Sequence, residues 1–216
     1  MVQSSGLIGL LIFFLAGCTS PAASPLKQES SPLDPRPFGQ THDATDTYFV
    51  NLNSIHRIVC GTRTGTAETI DRNRVMTASH VIGESEVCSI DGRPATILSN
   101  NSVLDYAILD YPAGARSQKF PINCDGFIAG EQYLAIGYAH GLDFVVTAGT
   151  AMRQFDRSAH LRLLEGRAYS GMSGGPVVNM QGEQVGITIA KSIGAGPNFI
   201  YARELKETEV CVTPEE

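Results

Sequence analysis

The chain has 216 residues, 43% of them hydrophobic, no tryptophan, and a formal net charge of −6. That length and composition describe ordinary globular protein, folded as one unit of one or two lobes. The negative balance and the lack of any Lys/Arg-rich run exclude a nucleic-acid-binding surface, which needs clustered cations.

In chain order, the first element is a targeting segment. Gly6 to Leu15 is almost wholly apolar, the length of a signal-peptide core and too short for a membrane span. It runs into Leu15-Ala16-Gly17-Cys18, which resembles a bacterial lipobox. The resemblance implies that residues 1–17 are a lipoprotein signal peptide and that Cys18 is acylated. The protein would then be anchored in the bacterial cell envelope, facing the periplasm or the exterior. Thr19, standing where an aspartate often retains lipoproteins in the inner membrane, points to the outer membrane. The alternative is an ordinary secretory signal with an incidental cysteine. Residues 18–47 read as a tether: Pro21, Pro25, Pro32, Pro35 and Pro37 fall among Ser, Ala, Asp and Gln, a composition that is extended and has little to bury.

Residues 48–213 form the folded domain, and here the pattern is short strands and turns. Apolar runs occur at Ile55 to Cys60, Arg74 to Thr77, Val87 to Ile90, Ala95 to Leu98 and Tyr106 to Tyr111. They resume at Gln132 to Tyr138, Phe144 to Met152, Leu161 to Leu164, Pro176 to Asn179, Gln184 to Ala190 and Asn198 to Tyr201. Asp91-Gly92 and Gln181-Gly182 are hairpin signals. Arg203 to Val210 reads as a short closing helix. Many short strands without alternating helices predict an all-β barrel or sandwich. With Cys18 set aside, Cys60, Cys88, Cys124 and Cys211 are an even count that suggests two disulfides, with three connectivities open.

Chemistry concentrates in three stretches. Gly171-Met172-Ser173-Gly174-Gly175-Pro176 is a glycine-rich turn exposing one hydroxyl beside N–H groups able to hold an oxyanion. A lone G-x-S-x-G is equally well a β-turn without chemistry. Upstream lie Thr77-Ala78-Ser79-His80 and Asp105-Tyr106-Ala107-Ile108-Leu109. The order histidine, aspartate, serine supplies base, orienter and nucleophile. No histidine follows Ser173, the last being His160, which excludes the α/β-hydrolase order of serine, acid, histidine. Asp91 and Asp110 compete with Asp105. Asp91 has a turn reason to be where it is, and Asp110 falls on the opposite strand face from Asp105.

Together the three stretches, over about residues 48 to 207, resemble the chymotrypsin-like (trypsin-fold) serine peptidases of bacterial type. That family carries T-A-A-H, D-x-A-x-L and G-D-S-G-G-P. The resemblance implies two antiparallel six-stranded β-barrels and peptide-bond hydrolysis by His80, Asp105 and Ser173 through an acyl-enzyme. It places the oxyanion hole at the N–H groups of Gly171 and Ser173, and disulfides at Cys60–Cys88 and Cys124–Cys211. Met172 stands where many members have an aspartate that pairs with a new N-terminus, so the site should form without an activating cut. Arg167 resembles the base of the primary specificity pocket, and Ile189-Ala190-Lys191 the edge that pairs with extended substrate. Two nearby cations would favour an acidic residue before the scissile bond, unless both point into solvent. The partner is a protein or peptide substrate; no metal or cofactor is expected, nor a peptide-recognition module after the domain. A catalytically weak domain binding protein segments is the alternative, and ester rather than amide hydrolysis a third.

Overall fold

The computed structural model describes residues 52–111, 119–141, 144–156, 161–191 and 198–211, excluding the side chains of 141, 154–156 and 190–191. The expected signal peptide, Cys18 and the expected tether lie outside the described residues, as does any structure before Leu52 or after Cys211.

Six strands build a first closed barrel: β1 (Ile55–Cys60), β2 (Arg63–Thr69), β3 (Arg74–Thr77), β4 (Cys88–Ile90), β5 (Arg93–Asn101) and β6 (Tyr106–Asp110). Its hydrogen-bonded order is β1-β2-β3-β6-β5-β4, antiparallel throughout. Six more build the second: β7 (Gln132–Tyr138), β8 (Phe144–Asp156), β9 (Leu161–Gly166), β10 (Pro176–Asn179), β11 (Gln184–Lys191) and β12 (Phe199–Glu204). It closes as β10-β11-β12-β9-β8-β7. Closure removes exposed strand edges that would otherwise template aggregation. One helical turn, α1 (Ser79–Ile82), interrupts the first barrel between β3 and β4. Among the described residues no helix is long and apolar enough to cross a membrane.

Local sequence explains the main turns. Asp91 and Gly92 have φ of 49° and 78°, the two left-handed positions a two-residue hairpin needs between β4 and β5. The first core gathers Ile58, Val75, Met76, Ile90, Ile108 and Leu109; the second gathers Tyr133, Ala135, Leu164, Val177 and Ile200. Burial of each large aliphatic side chain contributes about 1.5–3 kcal/mol. Disulfides join Cys60 to Cys88 and Cys124 to Cys211, at sequence separations of 28 and 87 residues. On loop-closure entropy alone they stabilise by about 3.5 and 4.5 kcal/mol.

Two elements differ from the sequence expectation. The closing helix expected over Arg203 to Val210 is a single 3₁₀ turn, Leu205–Glu207, because Arg203 and Glu204 still belong to β12. The Arg203 guanidinium, almost wholly buried, donates to Leu104 O and to Glu207 Oε2, at 2.5 and 2.7 Å. A helix starting at Arg203 would forgo those bonds. The second difference is β2, which the apolar pattern missed. Arg63-Thr64-Gly65-Thr66-Ala67-Glu68-Thr69 is polar, yet everything from Gly65 onward is buried. Its outer face is covered by the second barrel, where the Thr66 hydroxyl meets polar partners and the Glu68 carboxyl is buried without a hydrogen bond.

Candidate active site

His80 arises where β3 ends and α1 begins. Thr77 and Ala78 are wholly buried, whereas His80 is exposed. Gly83 closes α1 at φ 59°, its N–H donating to Ser79 O at 3.0 Å, as a residue after a helix end commonly does. Arg63 Nη1 donates to His80 O at 2.6 Å, fixing the turn from the β2 side.

Asp105 is the last residue of the turn before β6 rather than the first residue of a strand, with φ 56°. Aspartate tolerates that left-handed conformation better than most residues. Asn101 Oδ1 accepts from Val103 N and Leu104 N at 3.1 and 2.9 Å. Together with the Arg203–Leu104 bond, these contacts set the turn that presents the carboxylate. His80 Nδ1–H donates to Asp105 Oδ2 at 2.9 Å, and His80 N–H to Asp105 Oδ1 at 2.8 Å. A carboxylate only accepts, so Nδ1 carries the proton and Nε2 of the neutral ring is left as an acceptor.

Ser173 comes from the second barrel, on the turn between β9 and β10. Its Oγ donates to Ile189 O at 3.0 Å; among the described residues no hydrogen bond joins it to His80. The backbone around it is fixed group by group. Ser170 O accepts from His140 N at 2.6 Å, and Met172 N donates to Tyr169 O at 3.1 Å, closing a turn whose third residue, Gly171, has φ 94°. Met172 O accepts from Gly175 N at 3.0 Å. In a trans peptide the N–H points opposite the C=O. The anchored carbonyls of Ser170 and Met172 therefore turn the Gly171 and Ser173 N–H groups the other way. Neither N–H has a hydrogen-bond partner among the described residues.

Met172 is wholly buried in the second core, and its Sδ accepts from Tyr169 N at 3.3 Å. An apolar seat holds it, with no ion pair. Gly174 and Gly175 are required by space. A Cβ on Gly174 would fall 2.2 Å from Thr77 Oγ1, and one on Gly175 would fall 2.0 Å from Ile136 O.

The specificity candidates are placed only in part. Arg167 is exposed between β9 and the serine turn, and Ile189 is buried in β11. Ala190 and Lys191 lie in β11 by their backbone, but their side chains are outside the described residues. Thr188 exchanges bonds with Gly174 and Gly175; beyond it, the described β11 backbone pairs only with β12, at Tyr201 and Ile200. That leaves one side of Ile189–Lys191 without a strand neighbour among the described residues.

A second His–Asp pair sits in the first barrel. His56 Nδ1–H donates to Asp91 Oδ2 at 2.7 Å, and Nε2 accepts from Thr69 Oγ1 at 2.8 Å. Burial opposes ionisation of Asp91, but the bonds from His56 and Arg57 N win and hold its pKa below the usual range. His56 and Thr69 are buried, so the imidazole, with both nitrogens bonded, is closed to substrate. Among the described residues no three His, Cys, Asp or Glu side chains converge as metal ligands would.

Sequence reasoning missed Thr66, which touches the serine turn from β2, and Glu68, buried between the barrels. Both sit on the strand with no apolar signal. Glu68 is wholly buried with neither carboxylate oxygen hydrogen-bonded, and burial pushes its pKa well above the ordinary carboxylate value, with Gln184 and Lys119 pulling it back only in part.

A model of the trypsin-like peptidase domain matches residues 64–187. The chain is 28% identical over 137 residues to a probable periplasmic serine endoprotease, DegP-like, from Chlamydia pneumoniae, covering 56% of this chain and 27% of that protein. It thus spans about a quarter of that relative's length. The fold is similar to the serine endoprotease from Yersinia pestis, with a TM-score of 0.65 and 21% identity over 74% of this chain and 62% of that one. It is similar to the HtrA-type protease AlgW with tripeptide, with a TM-score of 0.66 and 20% identity over 76% and 60%. The Ser343Ala mutant of Rv3671c from M. tuberculosis H37Rv, inactive form, matches with a TM-score of 0.62 and 20% identity over 73% and 84%.

Proposed function

Because the chain belongs to the trypsin-like peptidase family, we propose that it is a serine endopeptidase with Ser173 as nucleophile, His80 as general base and acid, and Asp105 as orienter. The observation that carries this is the two-point hold of Asp105 on His80, through Nδ1–H and the backbone N–H. It keeps the ring in the tautomer whose Nε2 can take a proton.

On this reading a protein or peptide segment pairs with the open side of Ile189–Lys191 as an added strand. Ser173 Oγ leaves Ile189 O, passes its proton to His80 Nε2 and bonds to the scissile carbonyl carbon. The carbonyl electron pair moves to oxygen, where the Gly171 and Ser173 N–H groups receive it. Collapse of that intermediate breaks the C–N bond as His80 protonates the leaving amine. Water then repeats the sequence and frees the acyl group from Ser173. The seat of Met172 in the second core supports a site that needs no activating cut. Arg167 and Lys191 favour an acidic residue before the scissile bond; a peptide panel with no gain for Asp or Glu there would remove that preference.

The purified full-length chain and its Ser173→Ala variant, treated with a fluorophosphonate and then a mixed peptide library, test the proposal. Labelling and cleavage lost together in the variant support it. The bond from Ser173 Oγ to Ile189 O favours a second reading, a catalytically weak domain that binds protein segments. An unlabelled wild type would select that one.

Residues 1–17 as signal peptide, Cys18 as lipidated residue, 18–47 as tether and 48–213 as peptidase domain complete the proposal. The name of the Chlamydia relative as periplasmic supports a cell-envelope location. Incorporation of labelled palmitate, abolished by Cys18→Ala, checks the anchor, and membrane fractionation checks the outer-membrane assignment.

A further inference from the structure

Thr66 belongs to the first barrel, yet most of its polar groups serve the second. Its Oγ1 donates to Gly171 O and accepts from Tyr138 N, each at 2.8 Å. Its N–H donates to Ser173 O at 2.9 Å, and its carbonyl accepts from Thr77 Oγ1 at 2.7 Å. The residue is wholly buried. No bond it makes is open to competition from water.

What these bonds restrain is a glycine. Gly171, at φ 94°, occupies a region that glycine enters and leaves at little steric cost. A single glycine between two free peptide planes would let either plane rotate and carry its N–H out of place. Here both are fixed: the plane before Gly171 by His140 N on Ser170 O, the plane after it by the Thr66 hydroxyl on Gly171 O. The first anchor is main chain and cannot be edited. The second is a side chain and can.

We propose that Thr66 is a positioning residue whose hydroxyl, reaching across from the first barrel, holds the Gly171–Met172 peptide plane and with it the turn on which the Gly171 and Ser173 N–H groups are preformed as oxyanion donors. The inference rests on the peptidase reading above. It gives a neutral hydroxyl the task of ordering a turn in which Met172 offers no charge for an ion pair. It also links the two halves of the site, since Thr66 lies on the barrel that carries His80 and Asp105 while Gly171 and Ser173 lie on the other.

The test compares wild type, Thr66→Val and Thr66→Ser as full-length chains, reading kcat and KM on a peptide that the wild type cleaves, with thermal unfolding alongside. Valine keeps the volume and removes both hydroxyl bonds; serine keeps the hydroxyl. Thr66→Val should fold and lose kcat on the order of 10²-fold, the scale of a misplaced oxyanion donor, with KM within about threefold, as for loss of a contact made only in the transition state. Thr66→Ser should retain kcat within about threefold. Should Thr66→Val fail to fold, Thr66→Cys is read the same way, its thiol being a poor hydrogen-bond partner at the hydroxyl's position. Wild-type kcat in the valine (or cysteine) variant, or an equal loss in Thr66→Ser, overturns the inference while leaving the peptidase reading intact. A wild type that neither labels with fluorophosphonate nor cleaves overturns both.

Discussion

Gly137→Ala is a severe test of how the serine turn is supported, because it adds one methyl at a position remote in sequence from every proposed reacting group. Gly137 lies in β7, and a Cβ built there falls 2.8 Å from Met172 Cα, 2.8 Å from Thr66 Oγ1 and 3.1 Å from Met172 Cβ. Its φ is not in the left-handed region, so alanine's backbone preferences are satisfied and only space is at issue. Ordinary contact begins near 3.4 Å, so the two sides must separate by roughly 0.6 Å. No rotamer relieves the clash with Met172 Cα, which is main chain. β7 is paired with both β8 and β10, whereas the serine turn is held by isolated bonds, so the turn should yield. A displacement of that size moves the Gly171 and Ser173 N–H groups by a sizeable fraction of the ~1 Å misplacement that can cost 10²-fold. We expect kcat to fall by about 10- to 100-fold on that scale, with overpacking costing about 1–3 kcal/mol of stability. Steady-state peptide cleavage and fluorophosphonate labelling rate read the first, and thermal unfolding the second. Gly137→Ala with wild-type kcat and an unchanged unfolding midpoint would refute the reasoning, showing that the crowding around Met172 is not what shapes the turn.

Three further outcomes are expected. Asp105→Asn should fold normally and lose kcat by about 10³- to 10⁴-fold, since an amide no longer fixes the His80 tautomer; an unchanged kcat would transfer the role to another carboxylate. Glu68→Gln should raise the unfolding midpoint at neutral pH. Glu68 has its folded pKa raised, so the pH-dependent part of its cost is absent below the unfolded carboxylate pKa and grows as pH rises from there toward the folded value. The gain should therefore shrink as pH falls to about 4, and a gain constant with pH would rule this out. Glu204 is the opposite case: burial opposes its ionisation, but the bonds from Lys206 and Arg162 prevail and lower its pKa. Its contribution is present above the unfolded pKa and lost as pH falls through the folded one. Glu204→Gln should cost about 2 kcal/mol at neutral pH and flatten the acid limb of a pH–stability curve.

The barrels were legible because most of their strands announce themselves. β1, β3, β6 and β7 are apolar runs ended by turn residues, and Asp91-Gly92 has the chemistry of its hairpin. The candidate reacting groups stood out for a different reason: His80, Asp105 and Ser173 sit in short patterns whose order excludes the alternative hydrolase class. What remained hidden was the support behind them. Thr66 and Glu68 lie in a strand whose polar residues face another barrel, and no single-strand periodicity records a neighbour that arrives a hundred residues later. Gly137 reads as an ordinary strand glycine until Met172 is seen against it. Arg203 reads as the start of a closing helix until its guanidinium is found inside, on the turn that ends in Asp105. The closing helix failed on the same point, since a buried arginine extends β12 past its apolar run.

The Cys124–Cys211 bond has a topological consequence. All six strands of the second barrel, from Gln132 to Glu204, fall between those two cysteines, so the barrel is a covalently closed ring. A single cut anywhere along that ring opens the circle without releasing a fragment. Should the protein nick itself or be nicked there, the pieces would co-migrate until reduced. The ring also brings the two segments that flank the barrel within 5.8 Å at Cys124 and Cys211, measured between Cα atoms. The barrel could thus be given new ends in an exposed loop, with its old ones already joined by sulfur.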